Sequence, residues 1–149
     1  MPDQVAARVS MWINSVPERV FDAFMQPEAL TSFWLASAQA PLETGRKVHW
    51  AFLVKGAEVD TTATTVERPK LLAWDWSDGS RVTIELEPVD GGTAVNLTND
   101  RLSGNDPVAA ALDATEGFTI VLADLKTWLE TGVSAGITRA KAKLIERRG

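Results

Sequence analysis

One stretch limits the folds open to this chain more than any other: Pro107 to Thr131, PVAAALDATEGFTIVLADLKTWLET, which follows a run of short alternating segments. Asn105 or Asp106 can cap its start, Pro107 suits a first turn whose N–H would be unpaired anyway, and Gly132 suits a left-handed stop. These signals predict one helix of about 25 residues, roughly 37 Å long, enough to cross a small domain. Leu112, Phe118, Val121, Leu122, Leu125, Trp128 and Leu129 recur at intervals of three and four as an apolar stripe, with Asp113, Glu116, Asp124, Lys126 and Glu130 largely off it. One face must therefore be covered. Gly117 interrupts the helix at a cost of about 0.5 to 1 kcal/mol relative to alanine, and close packing of helix on sheet is the expected reason.

The segments before it supply the cover. Val5 to Asn14 alternates as a half-buried strand, with Trp12 on its polar side. Ser15 and Glu18 have capping-box spacing, and Val20, Phe21, Phe24 and Met25 give the short helix that follows an apolar face. Pro27 ends that helix, and Glu28 to Trp34 reads as a second one, followed by a loop through Gly45. From Arg46 the period becomes two. Val48, Trp50, Phe52 and Val54 share a face, Lys55-Gly56 turns the chain, and Glu58 to Val66 is rich in threonine and β-branched residues. After a proline turn at Glu67 to Lys70, Leu72, Trp74 and Trp76 share a face. Asp78-Gly79 and Asp90 to Gly92 then mark hairpins around strands carrying Val82, Ile84 and Leu86, then Val95 and Leu97. The fold class is α+β: a curved antiparallel sheet of six to seven strands wrapped around the long helix, with two short helices after strand 1.

A chain of 149 residues, 45% hydrophobic, suits one domain. The net charge of -5 gives no field to draw in a phosphate backbone, so nucleic acid is not an expected partner. With no cysteine there is neither a disulfide framework nor a thiol nucleophile. The start, MPDQVAARVS, lacks the pattern of a signal peptide and no apolar run reaches the roughly 20 residues that span a bilayer. The expectation is a cytoplasmic protein without membrane insertion, monomer or homodimer.

The order of elements, the S-x-P-E-R-V-F entry into the first helix, Trp34 after a proline-bounded helix, and EGFTIVLADLKTWLETG at Glu116 to Gly132 together resemble a known family. The chain is similar to the activator of heat-shock protein 90 ATPase homologue family, within the START-like, helix-grip superfamily that includes polyketide cyclases and plant pollen allergens. The resemblance implies a sheet gripping the long helix around a pocket, and covers Val5 to Gly132 within a domain of residues 1–132. Residues 133–149 form a basic extension whose Ile137, Ala140, Leu144 and Ile145 give a helix a weak apolar stripe, and a solvated tail is expected. The resemblance also implies chaperone contact. Yet 149 residues leave no room for the separate domain with which the eukaryotic co-chaperone engages its partner.

Recognisable reaction chemistry is sparse. His49 is the sole histidine, so a zinc site of nitrogen and sulfur ligands cannot be assembled, and no cofactor or metal is expected. The G-x-S-x-G, G-x-x-x-x-G-K and G-x-G-x-x-G patterns are absent. Glu58 with Asp60, and Glu85 with Glu87, are pairs sharing a strand face, Asp75 lies between Trp74 and Trp76, and each is expected on the solvent side. Glu116 is the polar candidate nearest a cavity mouth. The aromatic set, six tryptophans and five phenylalanines without tyrosine, points instead to an apolar wall. Trp34, Trp50, Phe52, Trp74, Trp76, Phe118 and Leu122 are the residues expected to line it. The expected function is binding of a small apolar or aromatic molecule. A polyketide cyclase- or hydrolase-like enzyme using the same cavity and a chaperone-binding module are the alternatives.

Overall fold

The computed structural model describes residues 5–102 and 104–148; residues 1–4, where the amino-terminal stretch discussed above begins, lie outside it together with 103 and 149. β1 (Ala7–Ile13) leads into α1 (Pro17–Met25) and α2 (Pro27–Phe33). Then come β2 (Leu35–Ala38), β3 (Lys47–Phe52), β4 (Glu58–Glu67), β5 (Leu71–Trp76), β6 (Arg81–Val89) and β7 (Gly92–Asp100), followed by α3 (Pro107–Thr131) and α4 (Ile137–Arg148). Seven strands pair antiparallel in the order β1-β7-β6-β5-β4-β3-β2, so α1 and α2 carry the chain from one sheet edge to the other. This is the helix-grip arrangement, and the seventh strand is β2, which lies inside the stretch expected to be loop. Its four residues are too short to show a period.

Alternation places the core. Val48 and Trp50, Leu72 and Trp74, Val82 and Ile84, Val95 and Leu97 are all buried on the inner face. Register shifts between Leu35 and Ser37 and between Ala63 and Thr65 bend the half of the sheet built from β2 to β5. At the β6–β7 hairpin, Asp90 and Gly91 both take positive φ, 50° and 79°, the combination a two-residue turn needs to match strand twist. A side chain at Gly92 would run into the Ile13 carbonyl oxygen and the Trp12 ring, whose Nε1 donates to the Val89 carbonyl at 2.8 Å.

The predicted capping box at Ser15 does not form. Pro17 takes the first helical position, so Val16 is the cap, and the Ser15 hydroxyl is buried without a partner. The long helix has the expected ends: Asp106 accepts from the Ala109 N–H at 3.0 Å, and Gly132 closes it with φ 80°. Its covered stripe runs through Ala111, Phe118, Val121, Leu122, Leu125 and Leu129; Leu112, expected on it, is 67% exposed because the neighbouring Ala111 takes the inward position. The helix also guards the free β1 edge. Lys126 Nζ donates to the Trp12 carbonyl at 2.9 Å and Glu130 accepts from the Asn14 N–H at 2.8 Å. Among the described residues no helix is long and apolar enough to cross a membrane.

Candidate functional site

The rings on the inner sheet face fall into two groups. Trp50 and Trp74 meet edge to face with centroids 5.3 Å apart and have no exposed surface: Phe24 of α1 lies 6.4 Å from Trp74, with Phe33 of α2 packed on Phe24 at 5.8 Å, and Trp34 meets Trp50 edge to face at 5.3 Å. Leu122 of α3 is likewise fully covered. At the other end Trp76 stacks on Phe118 at 6.0 Å and 11°, Phe52 meets Trp76 edge-on at 6.0 Å, and Trp34 abuts Phe118 at 5.8 Å. These four border a cleft of about 290 Å³. Leu53 and Val54 follow β3 into its wall, Ala114 and Gly117 face it from α3, and Ala142 and Ile145 from α4.

Of the seven residues expected on a cavity wall, Trp34, Phe52, Trp76 and Phe118 thus reach the cleft. Trp50, Trp74 and Leu122 do not, since strand alternation and helical spacing set which face a side chain takes but not which element presses on it further along. Gly117 also corrects an expectation: a Cβ there would meet nothing within 4 Å, so the glycine opens onto the cleft instead of marking close packing. A wider depression of about 380 Å³, bounded by Glu58, Ser77 and Asp78, adjoins the cleft at Phe52, Ala57 and Trp76. The indole Nε1 of Trp76 is buried without a hydrogen-bond partner, as are those of Trp50 and Trp74 and the Thr61 hydroxyl on the same face. Each such group costs about 1 to 3 kcal/mol while unpaired.

The stretch after Gly132 is a docked helix where a solvated tail was expected. The reason is Asp124, assigned by spacing to the polar side of α3 and found only 1% exposed. Its carboxylate accepts from the N–H groups of Ala135, at 3.2 Å, and Thr138, at 2.9 Å, where α4 begins, and from the Ser134 hydroxyl. A buried carboxylate at a helix start meets unpaired N–H groups and the positive end of the dipole. Thr138 Oγ1 donates to the Phe33 carbonyl at 3.1 Å, Glu146 accepts from the Lys55 N–H at 2.8 Å, and Lys141 pairs with Glu116. α4 therefore spans from α3 to the β3–β4 turn and forms one side of the cleft.

The remaining sequence candidates lie elsewhere. His49 is on the outer sheet face, with Nδ1 3.0 Å from Asp60 and Nε2 2.6 Å from Glu58; the hydrogen bond to Asp60, then that to Glu58, raises its pKa from the ordinary 6.5. Asp75 receives a two-pronged bond from Arg81 at 2.6 and 3.0 Å, which holds its carboxyl below the usual range. Glu85 and Glu87 are exposed. Glu116 points to Lys141, whose hydrogen bond lowers its pKa. Among the described residues no three carboxylate or histidine groups are placed to hold a metal ion.

Solved structures repeat the architecture. A protein from Staphylococcus saprophyticus matches with a TM-score of 0.76 at 29% identity, over 87% of this chain and 94% of its own. The Aha1 dimer from Colwellia psychrerythraea matches with a TM-score of 0.76 at 21% identity, over 86% and 98%. DynU16, from the dynemicin biosynthetic locus, gives a TM-score of 0.78 at 21% identity, over 89% of this chain but 49% of its own, so about half of that protein. At 21% identity the last two are likenesses of fold. Comparison with curated proteins returns no match. α4 lies beyond the stretch that carries a family pattern; over residues 14–130, from the end of β1 through α3, the chain matches the family described as activator of Hsp90 ATPase homolog 1-like protein, and it belongs to that family.

Proposed function

We propose that this chain binds a small apolar or aromatic molecule in the cleft bordered by α3, α4 and the ends of β3 and β5. The carrying observation is that Trp34, Phe52, Trp76 and Phe118 converge on a space into which Gly117 projects no side chain. Water against such a wall is readily displaced, and burial of apolar surface, at about 25 cal/mol per Å², supplies the driving force. The volume of about 290 Å³ sits at the small end of ligand pockets and suits one or two rings better than a long lipid. A ligand of about 20 heavy atoms at about -0.3 kcal/mol per atom would bind with a Kd of tens of micromolar.

Titration of tryptophan fluorescence with a panel of apolar and aromatic metabolites tests this. A saturable change in that range is expected from at least one class, and a flat response across the panel contradicts it. A cyclase- or hydrolase-type reaction in the same cleft would have Lys141 as the one bordering ionisable side chain among the described residues, and product formation abolished by Lys141→Met would identify it.

A further inference from the structure

Among the described residues the wall of the cleft is apolar with two exceptions, Thr138 and Lys141, and Lys141 alone is charged. Both come from α4, outside the matched residues 14–130. The Lys141 side chain is 24% exposed, and its ammonium is paired with Glu116, which is 60% exposed. We propose that Lys141 makes the cleft a receptor for a monocarboxylic acid with an apolar or aromatic body, whose carboxylate takes the place on Lys141 that Glu116 holds here. This rests on the binding reading above and names the chemical class it selects.

Three features point to this class. Lys141 brings a positive charge to the border of an otherwise apolar cleft, so a ligand that carries an anion is favoured there over a neutral one of the same shape. The group already on the ammonium is a carboxylate, and Glu116, being exposed, regains water when displaced, so the exchange gives up little. One lysine with no arginine fork among the bordering residues suits a single negative charge better than a phosphate.

Calorimetry of the full chain with naphthalene-2-acetate and with octanoate, each set against its primary amide, separates the possibilities. Each amide keeps the shape of its acid and lacks the charge. At least one acid is expected to bind about tenfold more tightly than its amide, and which one reports whether the body is aromatic or aliphatic. Lys141→Met should bring the acid down to the amide's affinity without moving the amide, Lys141→Arg should keep the preference, and Glu116→Gln should tighten the acid severalfold. Amide affinity thus controls for a displaced α4. Equal binding of acid and amide by the native chain, or equal weakening of both by Lys141→Met, overturns the carboxylate inference and leaves the cleft reading standing. Binding of neither acid nor amide overturns the carboxylate inference, and the fluorescence panel then decides the cleft reading separately.

Discussion

Trp74 and Trp76 sit two residues apart on the same face of β5, yet Trp74 has no exposed surface while Trp76 borders an open cleft. The strand treats them alike. What differs is the covering element: Phe24 of α1, backed by Phe33 of α2, packs on Trp74, whereas the Trp76 end is spanned by α4. Polar contacts hold α4 in place, through Asp124, the Lys141–Glu116 pair and the Glu146 bond to the Lys55 N–H. A filled end supplies stability and a spanned end leaves room, so one sheet divides its aromatic rings between core and cleft.

The largest effect expected from breaking this contrast is on stability. Trp74→Ala should cost about 3 to 5 kcal/mol in urea unfolding, and Trp76→Ala less than half as much while weakening ligand binding more. Equal losses would mean that the two ends do not differ. Next, Asp124→Ala leaves the N–H groups of Ala135 and Thr138 without their carboxylate and should cost about 1 to 3 kcal/mol. Amide hydrogen exchange should accelerate in α4 and not in the sheet, whereas uniform acceleration would show that α4 unfolds only with the whole domain.

Smaller still, Gly117→Ala should stabilise the fold by about 0.5 to 1 kcal/mol, because the new methyl meets nothing within 4 Å, and should weaken binding by narrowing the cleft. A thermal shift downward would place hidden packing there. The smallest effect belongs to the outer face. His49 has its pKa raised above 6.5 by Asp60 and Glu58, so its stabilising contribution is complete below about pH 6.5 and fades as pH rises through the folded-state value. An NMR titration should give a midpoint above 6.5 that His49's partners set, with Asp60→Asn lowering it and leaving cleft binding unchanged.

Much of the architecture was legible because its signals are local. Pro107, Asp106 and Gly132 mark α3 by backbone requirements alone, and the alternation of Val48 with Trp50 or Leu72 with Trp74 needs only the strand period. The site was legible only as far as the face of each ring. That Trp34 and Phe118 would meet Trp76, while Trp50 would vanish under Trp34 and Trp74, depends on the placement of α1 and α2, which no local period encodes. Asp124 was missed for a related reason. Grouped with Asp113, Glu116, Lys126 and Glu130 off the apolar stripe, its carboxylate reads as part of a polar face until the start of another helix is brought against it. Its signal was positional: it sits between Val121, Leu122 and Leu125, all buried.

The most direct test uses the six indole N–H resonances of the chain, which report each tryptophan separately. During titration with naphthalene-2-acetate in a ¹H–¹⁵N correlation experiment, the signals of Trp34 and Trp76 should move most and saturate together, with Trp12 on the outer edge fixed. Saturation that moves Trp12 while Trp34 and Trp76 stay in place would contradict the account.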